Sequence, residues 1–202
     1  MRGRFPGPAH DAAMEKSGGK RESELAVLAG LRWLKEHQND DGSWGAEFKS
    51  SMSGLVLLCF LGHGEQPEDV EFGPTIKKAV DWMIDRGAEF NGRMSLTKNG
   101  WGGNAGVYQH AICTYAMGEY YSITQDDRIK DVLTRSVGFI VDGQNNNGGW
   151  RYNYEKGDFG DTSVTGWQVQ ALRAAHLTGL NIPGVDAALD KSMNYFKIAQ
   201  RR

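Results

Sequence analysis

The sequence predicts an all-α protein. Four segments have the apolar spacing of helices with one buried face, and three largely apolar segments lie between them. The period-2 alternation that is typical of β-strands is absent outside short loop pieces. Amphipathic and apolar helices are therefore expected to alternate along the chain, as they do in stacked helical hairpins.

The four amphipathic segments carry apolar residues at i, i+3, i+4 and i+7, with charged residues on the opposite face. Leu25, Leu28 and Leu31 form this stripe in the first segment, with Val27 and Leu34 beside it. The predicted helices span residues 24–37, 75–86, 128–142 and 185–199.

The three apolar segments hold few charges and many small residues, which is typical of helices buried on more than one side. Asn104 and Asp161 are predicted N-caps, and Gly62 and Gly179 are predicted to end their helices. The segments span residues 51–62, 104–121 and 161–179.

An aromatic residue recurs near the end of every amphipathic segment, which indicates an internal repeat. Five residues after each aromatic comes a glutamine, except at Gly87. The chain therefore contains about three and a half helical hairpins. The aromatics are Trp33, Trp82, Phe139 and Tyr195, and the positions five residues on are Gln38, Gly87, Gln144 and Gln200.

Composition excludes several classes of protein. The 202 residues carry a net charge of −2, so no basic field favours nucleic acid, and no apolar stretch approaches the roughly 18 residues of a membrane span. Residues 1–21 lack an apolar signal sequence and are predicted to form an irregular arm before a repeat domain at 22–202. Cys59 and Cys113 stand in apolar stretches without a C-x-x-C pattern, which predicts two free buried thiols.

Two polar turns end in tryptophan: HQNDDGSWG at 37–45 and GQNNNGGWR at 143–151. The glycine permits a tight turn after a helix. The glutamine amide is predicted to bond backbone groups at a neighbouring helix end that would otherwise be orphaned, and the indole to cover this junction. A structural role is therefore predicted for Gln38, Trp44, Gln144 and Trp150.

The stretches GLRWLKEHQNDDGSW (30–44) and SVGFIVDGQNNNGGW (136–150) resemble the QW motif of the terpenoid cyclase and protein prenyltransferase superfamily. The stretches at 107–124 and 148–175 resemble bacterial prenyltransferase/squalene-oxidase repeat proteins more closely. The resemblance covers 22–202 and implies an α/α toroid, in which outer and inner helices alternate around a cavity. Three and a half hairpins make a partial ring, which self-association or the remainder of a longer chain would complete.

Cyclases of the squalene-hopene type carry an Asp-x-Asp-Asp-Thr motif at the start of an inner helix, and its middle Asp protonates the isoprenoid. DFGDTS (158–163) resembles this motif at Asp158, Asp161 and Thr162, and Gly160 stands in place of the protonating Asp. Crowded carboxylates make such an acid, so the motif is incomplete. Asp158 and Asp161 are the catalytic candidates, and an N-cap is the alternative for Asp161.

The prenyltransferases of this superfamily hold zinc through Asp, Cys and His. His110 and Cys113 share a helix face, but no Asp-x-Cys pair completes a set of three ligands. We therefore expect no metal and no other cofactor, and the alternative for His110 is a buried bond to a neighbour.

Aromatic side chains cluster around the loops that lead into the apolar helices. Such rings hold an isoprenoid, stabilise a cation through their π faces, or stack on sugars, and core packing is the alternative. The predicted ligand-binding residues are Trp101, Tyr108, His110, Tyr152 and Trp167.

Three functions remain open. The first is a binding or assembly module whose inner face takes an apolar, isoprenoid-like ligand or a protein. The second is an active terpenoid cyclase or prenyltransferase-type enzyme, and the third is a carbohydrate-active toroid that resembles polysaccharide lyases. The first fits best with intact scaffold residues beside an incomplete acid motif, and the sequence assigns no compartment.

Overall fold

The computed structural model describes residues 12, 14–95 and 105–200. These ranges contain seven long α-helices and no β-strand, so the all-α prediction is confirmed. Two 3-10 turns, Asp127–Ile129 and Tyr152–Tyr154, accompany them. The helices are α1 (Arg21–Glu36), α2 (Lys49–His63), α3 (Gly73–Glu89), α4 (Ala105–Thr124), α5 (Lys130–Gly143), α6 (Thr162–Leu177) and α7 (Val185–Ala199).

The helix ends follow local backbone chemistry. Asp161 accepts a hydrogen bond from the Val164 backbone N–H at 2.9 Å, which confirms its predicted N-cap role. Gly179 follows α6 with a φ of 76°, as predicted, but Gly62 lies inside α2, and Gly64 with a φ of 101° ends that helix. The other predicted cap, Asn104, lies outside the described residues.

The apolar helices α2, α4 and α6 lie side by side and form the apolar layer, in which α4 contacts both neighbours. Glycines allow these close approaches. A Cβ added at Gly54 of α2 would lie 3.0 Å from the Cα of Cys113, and one added at Gly118 of α4 would lie 2.9 Å from the Cβ of Ala174.

The amphipathic helices form a second layer, because α3 contacts α5 and α5 contacts α7. Ile76 of α3 and Leu133 of α5 are fully buried on the faces that the apolar spacing predicts. The first amphipathic helix differs, since its main contact is with α2 and Leu31 is its buried residue. Leu25, which belongs to its predicted buried stripe, is exposed, as is Val27 beside that stripe.

The two cysteines are free, and they differ in burial. Cys113 of α4 is buried, as predicted, whereas Cys59 of α2 is exposed, so that prediction is wrong. The reason is position, because α4 has a helix on both sides and α2 lies at the edge of the apolar layer. In the described part of the chain, no helix combines the length and apolar composition that crossing a membrane requires.

Candidate functional site

The two turns that end in tryptophan have the same geometry. We call residues 38–44 the first Gln-Trp turn and residues 144–150 the second. Gln38 Nε2 donates to the carbonyl oxygens of Gly42 at 2.9 Å and Thr75 at 3.0 Å. In the second turn the glutamine amide donates to Gly148 at 2.9 Å and Ala188 at 2.8 Å.

These glutamines join one hairpin to the next, because Thr75 lies in the first turn of α3 and Ala188 in the first turn of α7. The bond partner therefore lies at a neighbouring helix end. The prediction that this partner would otherwise be orphaned is wrong, because a carbonyl in the first turn of a helix already accepts a hydrogen bond from the N–H four residues on. The glutamine bond is an additional one.

The tryptophans bond carbonyl groups at the C-terminal ends of the preceding amphipathic helices. Trp44 Nε1 donates to the carbonyl of Leu34, and Trp150 Nε1 to that of Ile140, each at 2.7 Å. Both acceptors lie among the last four carbonyls of a helix, which lack the regular partner four residues on, although the Leu34 carbonyl also accepts from the His37 N–H at 3.3 Å. Both indoles are buried. The backbone N–H groups of the two tryptophans donate to hydroxyl oxygens of the following helix, Trp44 to Ser53 Oγ at 2.9 Å and Trp150 to Thr165 Oγ1 at 3.0 Å.

The glycine of each turn is required by its backbone. Gly42 has a φ of 89° and Gly148 a φ of 91°, in the left-handed region that favours glycine. An added Cβ would also overlap the carbonyl oxygen of Lys78 in α3 or of Lys191 in α7. Each turn thus lies with its backbone directly against the next amphipathic helix.

A third junction, which the sequence pattern missed, uses different residues. We call residues 91–94 the middle turn. Gly92 has a φ of 89° and lies against α5, where Ser136 Oγ donates to its carbonyl oxygen at 2.6 Å. Met94 is fully buried, and its backbone N–H donates to His110 Nδ1 at 3.0 Å. Met94 therefore takes the place of the tryptophans, and His110 that of Ser53 and Thr165.

Gly87, where the glutamine pattern breaks, lies inside α3. A Cβ at this position would overlap the side chain of Val132, so packing against α5 leaves no space for a glutamine. The signal that identifies this junction from sequence is the Gly-x-Met spacing of Gly92 and Met94, which equals the Gly-x-Trp spacing of the other turns.

His110 is completely buried, and both ring nitrogens bond the backbone. Nδ1 accepts the Met94 N–H, so Nε2 carries the proton and donates to the Ser136 carbonyl at 2.9 Å. Burial, opposed by the Ser136 bond and helped by the charge of Arg93, lowers the pKa of His110 to about 4. These contacts favour the predicted bond to a neighbour over contact with a ligand.

A group of hydroxyls surrounds one carboxylate between α4 and α6. We call Tyr108, Tyr152, Asp161 and Ser163 the Tyr-Asp cluster. The Tyr108 hydroxyl and Ser163 Oγ lie 2.6 Å apart, and Ser163 donates to Asp161 Oδ1 at 2.7 Å. Tyr152 donates to Asp161 Oδ2 at 3.3 Å, and the Tyr108 and Tyr152 ring centroids are 6.1 Å apart. Three predicted site residues therefore come together here.

The cluster keeps Asp161 ionised. The Val164 backbone N–H first, and then Ser163 and Tyr152, hold the pKa of Asp161 below its ordinary value, against the effect of burial. Tyr108 and the charge of Asp161 raise the pKa of Tyr152 to about 12, so its phenol stays neutral. A group that protonates an alkene needs a raised pKa, and the shift at Asp161 has the opposite sign.

The remaining predicted residues lie elsewhere. Asp158 lines a cavity of about 400 Å³ with Phe159, Tyr195 and Ile198, beside α7. It therefore has different neighbours from Asp161, whereas an acid of the cyclase kind depends on crowded carboxylates. Trp167 is half-buried one turn beyond Ser163 on α6. Trp101 lies outside the described residues.

The apolar layer has an accessible face that changes in character across its helices. In α4, whose other sides are covered, accessible side chains recur at Tyr108, Tyr115 and Glu119. The corresponding residues of α2 include Leu55, and those of α6 include Gln170 and Arg173. The accessible face thus runs from apolar at α2, through two tyrosines and a carboxylate at α4, to polar at α6.

Within the described ranges, no group of three or more His, Cys, Asp or Glu side chains is placed to hold a metal ion. No family model matches the chain. No solved structure matches it significantly.

Proposed function

We propose that this chain is a binding module, built as part of an α/α toroid of the terpenoid cyclase and prenyltransferase type. Its accessible face takes an apolar, isoprenoid-like ligand. The repeated junctions between hairpins support the architecture, because each turn fixes one hairpin onto the amphipathic helix of the next. Apolar layers joined in this way line the inner side of a curved array.

One observation carries the binding proposal: apolar and aromatic side chains remain uncovered on the accessible face. Leu55 of α2 is 38% exposed, and Tyr108 and Tyr115 of α4 are half-buried. Large apolar side chains that stay together in contact with water mark binding sites. The ionised Asp161 argues against acid-initiated cyclisation, so binding without turnover fits the site better than the enzyme does.

Titration of the purified chain with geranylgeraniol, measured by isothermal titration calorimetry, tests this proposal. Leu55→Glu places a charge on the accessible face and is expected to weaken binding at least about tenfold. The matched control is Val70→Glu, because Val70 is 98% exposed in a loop and its replacement is expected to leave binding unchanged. Absence of binding by the unmodified chain, or equal loss in both variants, would contradict the proposal.

The Tyr-Asp cluster favours a second candidate, a carbohydrate ligand. The cluster offers a carboxylate and neutral hydroxyls that can bind a sugar, and α6 also carries the half-buried Trp167, whose ring can stack on one. The variant Asp161→Asn distinguishes the two candidate ligands, because it removes the charge of the cluster. Asparagine also caps helices, so α6 is preserved. For the isoprenoid function we expect this variant to bind geranylgeraniol as before, whereas loss of oligosaccharide binding identifies the second candidate.

A further inference from the structure

The aromatic residue near the end of each amphipathic helix is followed, four residues on, by a position on the same side of the helix. At the end of α1, the His37 ring stacks on Trp33 with ring centroids 4.0 Å apart. On α5 this position is Gly143, and the ring of Tyr154 lies against it, because an added Cβ would be 2.5 Å from Tyr154 Cδ1. In both repeats a planar group therefore fills the space at this position.

On α3 the planar group is a guanidinium. Arg86 follows Trp82 by four residues, and its guanidinium carbon lies 5.5 Å from the centroid of the Trp82 ring and 5.1 Å from that of Phe90. Arg86 Nη1 also donates to Glu89 Oε2 at 2.8 Å. Two aromatic rings and one carboxylate thus hold this cation, through contact with the π faces and a charge-assisted hydrogen bond.

On α7 the same position borders a cavity. Tyr195 is followed four residues on by Ala199, and both line the cavity of about 400 Å³, which we call the α7 cavity. This volume lies within the range of small-molecule sites. Phe159 and Asp158 also line it. The α7 cavity therefore offers two aromatic rings and one carboxylate, the set that surrounds Arg86, whereas Ala199 brings no planar group.

The polar groups of the α7 cavity favour a cation that donates hydrogen bonds. The Tyr195 hydroxyl donates to the Gly160 carbonyl at 3.0 Å, so Thr162 Oγ1 donates its hydrogen to the Tyr195 oxygen, also at 3.0 Å. Both hydroxyl hydrogens are thus already used within the protein. Asp158 is the charged residue among those that line the cavity, and it has no ion-pair partner in the described part of the chain. Its carboxylate accepts hydrogen bonds and attracts positive charge.

We propose that the α7 cavity binds a small molecule that carries a guanidinium group, in the place that Arg86 holds on α3. The guanidinium stacks on the Tyr195 ring and donates to Asp158. A guanidinium is planar and more weakly hydrated than an ammonium, so it stacks on aromatic rings where a compact ammonium does not. The cavity shares no lining residue with those named for the accessible face, and this proposal is therefore independent of the ligand proposed there.

NMR titration of the intact chain with butylguanidine is the first measurement, and chemical shifts are expected to change at residues around the α7 cavity. Asp158→Asn removes the carboxylate charge and is expected to weaken binding by about tenfold. The matched control is Asp190→Asn, because Asp190 is an exposed carboxylate of α7 outside the cavity lining. This control variant is expected to bind butylguanidine like the intact chain.

A second variant fills the cavity from within the chain. Ala199→Arg places a guanidinium on α7 at the position that Arg86 holds on α3, so it is expected to lose butylguanidine binding and to unfold at no lower temperature than the intact chain. Ala187→Arg adds the same charge at an exposed position of α7 and is expected to keep the binding. Circular dichroism confirms that both variants are folded.

Butylamine has the same alkyl chain as butylguanidine and an ammonium in place of the guanidinium, and it is expected to bind more weakly. Equal affinity for the two compounds would overturn the assignment of a guanidinium. Absence of butylguanidine binding by the intact chain overturns the proposal, as does unchanged binding by a folded Asp158→Asn or Ala199→Arg variant.

Discussion

The second Gln-Trp turn and the middle turn do the same work with different side chains. In the second turn a glutamine amide reaches from the turn to α7, whereas in the middle turn Ser136 reaches from α5 back to Gly92. The backbone N–H two residues after each glycine donates to a threonine hydroxyl in one case and to the His110 imidazole in the other. This repeat therefore preserves which backbone groups are bonded, and several side chains can supply the bonds.

The two turns also differ in what they add beyond the shared bonds. Trp150 caps an orphaned carbonyl of α5, which the thioether of Met94 cannot do because it has no N–H. His110 introduces a titratable group into the core of the middle turn, and Thr165 introduces none. The stability of the second turn should therefore depend on the volume of Trp150 and on its one indole hydrogen bond, whereas the stability of the middle turn should depend on pH.

The largest loss of stability is expected from replacing Trp150. Trp150→Ala removes a fully buried side chain and is expected to lower the free energy of unfolding by about 3–5 kcal/mol. Trp150→Phe keeps most of the volume and loses the bond to Ile140, so its cost should be clearly smaller. Urea denaturation measures both. An equal loss for the two variants would show that the indole bond, and not the packing, stabilises this turn.

Acidification should destabilise the middle turn through His110. Its pKa is about 4 in the folded chain and about 6.5 when unfolded, so the folded state binds fewer protons. The stability that follows is complete above pH 6.5 and falls by about 3 kcal/mol as the pH drops through this window to 4. Urea denaturation across the window, compared with His110→Gln, isolates this contribution, since other groups titrate in both proteins. Parallel pH profiles would rule it out.

Glycine replacements should have opposite signs at two nearby positions. Gly148→Ala forces a side chain into a left-handed backbone and against the Lys191 carbonyl, which is expected to cost more than about 1–2 kcal/mol. Gly138→Ala, in α5 with no atom within 4 Å, is expected to raise stability by about 0.5–1 kcal/mol. Thermal unfolding compares them. A tolerated Gly148→Ala would mean that the turn does not lie against α7.

The smallest difference is expected between the two side chains that link turn and helix. Gln144→Ala loses two hydrogen bonds and Ser136→Ala loses one, with expected costs of about 1–2 and about 1 kcal/mol. The double variant should show the sum, because the two residues serve different junctions. A Ser136→Ala cost well above that of Gln144→Ala would show that the middle turn relies on its serine more than the Gln-Trp turns rely on glutamine.

The seven helices could be predicted because apolar spacing is a local property, and the N-cap of Asp161 could be predicted because a cap bonds its own helix. The middle turn was missed because its bonds come from His110 and Ser136, which lie far from it in sequence. Burial of Cys59 was predicted from an apolar helix. It failed because burial depends on whether another helix lies on that side.

The sequence by itself determined the helices, the two Gln-Trp turns and the repeat that relates them, since each depends on residues that lie close together along the chain. Only the tertiary structure decided that the tryptophans bond carbonyls at helix ends, that Asp161 is ionised among hydroxyls, and that Trp33 of α1 is exposed where Trp82 of α3 is buried. These properties depend on which groups meet across the fold. Desolvation, hydrogen bonding and exposure are set by spatial neighbours, and a pattern along one chain does not specify them.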